Sequence, residues 1–109
     1  MAIKIKRGDR LPKIEATVKK DDGTIFDLTG ATAAFYMANA RSGVLKVNNG
    51  SASITDATAG VVEYNWGSED TDTTGEYHAE FEMTFVADGK KITAPSEGYI
   101  SIVIAEDLD

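Results

Sequence analysis

The chain has 109 residues, no cysteine and a net charge of −7. Its length suggests one domain with room for a hydrophobic core, and the missing cysteine excludes a disulfide framework and a thiolate metal site. Charge is unevenly placed, +5 over residues 1–20 and −12 over residues 21–109, so the body repels nucleic-acid phosphates and anionic membranes, and no apolar run approaches the ~18 residues of a membrane helix.

The N-terminal stretch MAIKIKRGDR is basic but has no apolar h-region, so a secretory signal is not expected and synthesis in the cytoplasm is. Ile3–Ile5 reads as a short first strand, and Pro12 limits pairing after it. The bases Lys4, Lys6, Arg7 and Arg10 allow two readings. They protect a strand edge, or residues 1–12 form a basic arm that docks on an acidic neighbour.

From there, turn residues recur about every ten positions, and the runs between them favour strands. Lys13–Lys20 alternates, with Ile14, Ala16 and Val18 on one parity, and Asp21-Asp22-Gly23 ends it in a tight turn. Ile25–Leu28 is expected as another strand, closed by Thr29-Gly30. The alanines of Thr29–Arg41 favour helix, but Phe35 and Tyr36 tilt Thr32–Ala40 towards strand. Val44–Val47 and Ser51–Thr55 read as two short strands around a hairpin turn at Asn48-Asn49-Gly50. Val61–Trp66 follows, with Val62, Tyr64 and Trp66 on one parity, and then an acidic loop, Gly67–Thr74.

Gly75–Phe85 is the clearest element. Tyr77, Ala79, Phe81, Met83 and Phe85 alternate without a fault against Glu76, His78, Glu80, Glu82 and Thr84. Period 2 with one charged parity marks a strand with one face on a core and the other in water. A hairpin tip at Ala87–Lys90, a short irregular Ile92–Pro95 and a last strand Tyr99–Ile104 complete the chain. The expected core is Ile14, Val18, Leu28, Phe35, Ile54, Val62, Tyr64, Trp66, Tyr77, Phe81, Met83, Ile100 and Ile102. Together these features predict an all-β chain of seven to nine strands, an immunoglobulin-like β-sandwich of two antiparallel sheets spanning residues 1–109 as one domain.

Sites of chemistry are scarce. His78 is the only histidine and lies on the charged face of its strand, with no nucleophile placed for it. Glu76, Glu80 and Glu82 share that face; the i, i+2 pair Glu80 and Glu82 lies roughly 7 Å apart, a distance two glycosidase carboxylates could use, but a regular strand offers them no cleft. Asp70-Thr71-Asp72-Thr73-Thr74-Gly75 looks like the start of an EF-hand loop, yet Phe81 stands where the bidentate Glu is required. Arg7-Gly8-Asp9 is a tripeptide match of the kind that arises by chance, and nucleotide-binding glycine motifs are absent. No cofactor or metal is therefore expected. The approach to Tyr77, Asp72-Thr73-Thr74-Gly75-Glu76-Tyr77, is similar to the tyrosine corner of immunoglobulin folds, with Ala79 in the place of the cysteine.

Several segments in order resemble a phage family. They are Arg7-Gly8-Asp9 with Leu11-Pro12, Asp22-Gly23, Asp27-Leu28-Thr29-Gly30-Ala31, Phe35-Tyr36-Met37, Ala59 through Trp66, Asp70-Thr71, Gly75-Glu76-Tyr77 with Glu80-Phe81, and Pro95 with Gly98-Tyr99-Ile100. This order is similar to the N-terminal domain of phage baseplate upper proteins. The resemblance implies an immunoglobulin-like, non-enzymatic virion part. The +5/−12 charge split adds the expectation that it docks on other virion proteins and on copies of itself, and the acidic body that it binds neither nucleic acid nor membrane. In the family this domain anchors a longer chain; here the residues read as one domain without a receptor platform. The expected role is a tail, baseplate or neck accessory, with a capsid decoration or a carbohydrate- or receptor-binding module as alternatives. Lys4, Lys6, Arg7, Arg10, Glu76, His78, Glu80 and Glu82 form the candidate interaction surface, and Tyr36 and Tyr99 are the aromatics a glycan would use.

Overall fold

Alternation of apolar and polar residues builds eight strands. A computed structural model describes residues 2–96 and 98–108. Its strands are β1 (Ala2–Lys6), β2 (Ile14–Thr17), β3 (Ala31–Asn39), β4 (Leu45–Asp56), β5 (Val61–Tyr64), β6 (Gly75–Phe85), β7 (Lys91–Ala94) and β8 (Ile100–Ala105). No helix forms among the described residues. Hydrogen bonding runs in the order β1-β8-β6-β3-β4-β5-β2, with β7 also on β6.

Strand β6 has the bounds its alternation predicts and lies near the centre. It pairs along most of its length with β3, and on its other side first with β8 and then with β7. The alanine-rich β3 is a strand because Phe35 and Met37, both fully buried, need the two-residue repeat to reach one core. Strand β4 carries the sheet around a corner: Leu45–Ala52 pairs with β3 and Ser53–Asp56 with β5. The result is one continuous curled sheet. Its two halves enclose the core, which is compatible with the expected sandwich, and β4 joins them. The β2 edge comes to face β7 and the start of β8 across a seam lined by Ala16, Thr17, Ala94, Pro95 and Ile100.

Phe35 is the hub of the core. It stacks on Tyr64 at 4.3 Å and meets Phe81 at 5.1 Å and Trp66 at 6.0 Å edge-on, geometries that suit the ring quadrupoles. Every expected core residue is buried except Ile54, which packs on the core while partly exposed.

Four local expectations are corrected. Asn48-Asn49-Gly50 is not a hairpin turn, because β4 runs straight through it. Pairing slips there, from Phe35 opposite Gly50 to Met37 opposite Val47, so β4 carries one extra residue as a bulge with Asn49 at φ 56°. Gly50 serves a different purpose from the expected one: a Cβ there would stand 2.8 Å from the Tyr64 ring. Ile25–Leu28 forms only an isolated bridge between Lys19 and Ile25. The Asp27 carboxylate accepts the Thr29 amide (2.9 Å) and hydroxyl (2.6 Å), which commits the stretch to a turn. Ile92–Pro95 is regular where irregularity was expected, since β7 pairs with Phe81–Thr84. Finally, β1 runs parallel to β8, so the pairing is not purely antiparallel. The chain opens beside its own last strand, and no hairpin constrains the direction of that pair.

Candidate interaction surface

The outward face of the β1-β8-β6-β3 half gathers six of the eight candidate residues, Lys4, Lys6, Glu76, His78, Glu80 and Glu82. Register defines it in rows. Lys4 lies beside Val103 and Val103 beside Glu76, with Ala40 bonded at the same level through its amide to the Glu76 carbonyl (2.9 Å). The next row is Ser101, His78, Ala38 and Leu45. Then comes Glu80 beside Tyr36, and Glu82 beside Ala34 and Thr93. Paired residues share a face, and the inward neighbours Ile102, Tyr77, Ala79 and Phe81 are all buried.

The acidic stripe and the basic N-terminus therefore lie on the same face. The columns of β1 and β6 are about 9.6 Å apart, two strand spacings, with β8 between them. Lys4 and Lys6 are exposed and form no ion pair among the described residues. Other bases of the N-terminal segment are engaged within the chain. Arg7 pairs with Asp107 (3.3 Å) and Glu106 (3.5 Å), Arg10 donates its Nε to the Trp66 carbonyl (3.0 Å), and Lys13 meets Glu63 (2.6 Å). The Glu63 hydrogen bond and charge hold the Lys13 ammonium above its ordinary pKa. Residues 2–6 are a strand, and the segment after them is tied down: Gly8 donates to the Thr71 carbonyl, Thr71 to the Asp9 carbonyl, and Trp66 Nε1 to the Pro12 carbonyl.

His78 stacks on Tyr99 with rings 3° from parallel and centroids 4.8 Å apart. Tyr36, His78, Glu80 and Tyr99 line a groove of about 280 Å³ together with Asn39, Gly43 and Leu45. Glu82 lies outside it and pairs with Lys91 at 3.4 Å. The two carboxylates thus share no cleft. Sequence reasoning left the sides of Tyr36 and Tyr99 open and missed the apolar outer column formed by Ala34 and Ala38 of β3 and by Ala40 just past it. Its signal was present, because β3 is apolar on both parities.

The EF-hand-like loop is spoken for by the protein itself. The Asp70 carboxylate accepts the buried Tyr64 hydroxyl and the Gly67 amide (2.6 Å), and Asp72 pairs with Lys46 and accepts the Thr73 hydroxyl. Burial, then the bond to Asp70, pushes the Tyr64 phenol well above the usual tyrosine range. Lys46 and then Thr73 hold the Asp72 carboxyl below its ordinary value. Among the described residues no three His, Asp or Glu converge to hold a metal ion. The Tyr77 hydroxyl bonds back to the Thr73 carbonyl at 2.9 Å, so this residue forms the expected tyrosine corner.

No curated protein matches this chain. The family model described as the BppU N-terminal domain matches residues 1–105 and so takes in all eight strands and every residue of the candidate surface. By that match the chain belongs to the BppU N-terminal domain family of phage baseplate upper proteins, and is a structural protein associated with the phage baseplate.

Proposed function

We propose that this chain is a non-enzymatic tail, baseplate or neck accessory of a tailed phage particle and works by protein–protein docking. The match over residues 1–105 carries the reading. Supporting it, the outward face bears Lys4 and Lys6 at one edge, Glu76, His78, Glu80 and Glu82 along β6, and the small outer side chains of β3. That combination of rim charges and apolar patches suits contact with other virion proteins and with copies of the same chain. Arg7 and Arg10, engaged within the chain, act by fixing the β1 edge rather than by reaching outwards.

Mass spectrometry of purified particles tests the proposal. A stoichiometry that follows the baseplate or neck proteins is expected, together with loss of those proteins when the gene is deleted. A stoichiometry that follows the major capsid protein would instead favour decoration, and absence from the particle would refute the reading. Incorporation should weaken in about 0.5 M salt, where exposed charge pairs are strongly screened.

A second reading rests on the groove between Tyr36, His78, Glu80 and Tyr99. Aromatic rings beside a carboxylate suit a sugar ring of a host-surface glycan, and the acid disfavours anionic sugars. Glycan-array binding lost in Tyr99→Ala would support it. An array without signal from protein that still enters particles would dismiss it.

A further inference from the structure

We propose that two copies of this chain pair face to face through the outer surface of β1, β8 and β6, about a two-fold axis lying along β8. The inference deepens the docking reading, and because its test uses the purified protein alone, its failure would leave the particle assignment intact.

Strand β8 is flanked by charges of opposite sign. Lys4 and Lys6 stand on β1, one strand spacing to one side, and Glu76 stands on β6, one spacing to the other, with His78 next along the same column. A dyad parallel to the strands and above β8 exchanges the two flanks while preserving height along the strand. Lys4 of each copy then faces Glu76 of the other, and Val103 faces Val103. The outward residues of β8 are Ser101, Val103 and Ala105. They are small enough for a second sheet to lie at the ~10 Å of packed sheets. A dyad above β6 would instead set the glutamate column against itself, which like-charge repulsion disfavours.

Packed sheets cross at about −30°, so registration is best at the row Lys4–Val103–Glu76 and falls away on either side. Three strand columns make a small contact, in the class below ~1,200 Å² of total buried area. The pair is therefore weak in dilute solution and strengthens where a particle holds copies together at high effective concentration.

The absence of native cysteine makes the test clean. Val103→Cys, Lys4→Cys, Glu76→Cys and a control away from the face, Thr58→Cys, are each treated with a bis-maleimide of about 10 Å reach, the sheet spacing. Circular dichroism and Trp66 fluorescence verify that each variant is folded. Val103→Cys should give covalent dimers about tenfold faster than Thr58→Cys, an advantage of proximity. A mixture of Lys4→Cys and Glu76→Cys should give mixed dimers in preference to either homodimer. Introducing Glu76→Lys into the Lys4→Cys chain, and Lys4→Glu into the Glu76→Cys chain, preserves opposite charges on the second contact of the mixed dimer and should keep that preference. Equal rates for Val103→Cys and Thr58→Cys would overturn the proposal, as would Val103→Cys dimers without preferential mixed pairing, since the dyad requires both.

Discussion

Replacing Tyr77 with Phe isolates the tyrosine corner from the core around it. The Tyr77 ring is 3 % exposed, and Phe retains that ring, so burial and packing are unchanged. What is lost is one bond of 2.9 Å from the hydroxyl to the Thr73 carbonyl. A neutral bond of this kind contributes about 1 kcal/mol net. Thr73 is exposed, so water can satisfy its carbonyl in the variant and the desolvation penalty of an orphaned buried acceptor does not arise. The expected cost is therefore about 1 kcal/mol, or roughly 4–6 °C in Tm for a domain of this size. Urea unfolding followed by Trp66 fluorescence is the assay, because the only tryptophan is 1 % exposed and becomes solvated on unfolding. Tyr77→Ala removes the ring as well and should cost about 3–5 kcal/mol, as for other large aromatic truncations. A Phe variant as damaging as the Ala variant, or one with no measurable cost, would refute this division between a modest hydrogen bond and a large packing contribution. The urea m-value should stay unchanged, since the surface exposed on unfolding is the same.

Gly60 and Gly89 share a positive φ of about 70° and differ in their surroundings. A Cβ at Gly60 would lie 2.8 Å from the carbonyl oxygens of Phe26 and Val18, whereas Gly89 has open space. Gly60→Ala should thus cost about 1–3 kcal/mol more than Gly89→Ala in chemical denaturation, because backbone cannot yield as a side chain would. In acid, Asp22 and Asp27 matter: the hydroxyls of Thr24 and Thr29, then their amides, hold both carboxyls below the ordinary value. Their contribution is present above the unfolded carboxylate pKa and is lost as pH falls through the lower folded values. A doubly substituted Asp22→Asn, Asp27→Asn protein should show a shallower loss of Tm between pH 5 and 2, and an unchanged slope would count against the two turns. In alkali the sign reverses for Tyr64. Its raised folded pKa gives stability that is complete below the unfolded value of about 10 and declines as pH rises towards the folded value. Tyr64→Phe should have a lower Tm at neutral pH and a flatter decline above pH 10; a parallel decline would mean that other groups govern alkaline unfolding.

How much of this was legible depended on the range of the interaction that decides each element. Strand β6 was readable to the residue because eleven positions alternate and burial alone fixes them. Trp66 and Tyr77 were readable as core for the same reason, and the corner because its partner is only four residues away. The segment Asn48-Asn49-Gly50 misled because the same residues favour a two-residue turn and a bulge. The bulge that forms sets Gly50 where a Cβ would stand 2.8 Å from the Tyr64 ring, fourteen residues on, and a local reading of the turn residues carries no sign of that neighbour. Likewise the lysines of β1 were legible as edge residues, but the partner of that edge was not. It lies almost a hundred residues away, and only the register of β8 reveals it.

The same distinction governs the candidate surface. Parity told which side of β6 faces water, and so which residues could touch a partner. It could not say that Lys4 and Glu76 stand in one row, because parity carries no information about neighbouring strands. An opposite-charge split along a sequence suggests that one end of a copy meets the body of the next. Once both signs lie two strands apart on one face, a different symmetry follows. The face complements itself about an axis between its charged columns, so the simplest assembly is a closed pair. An open head-to-tail series would need two separate complementary patches, and the rows of this sheet place both signs in a single one.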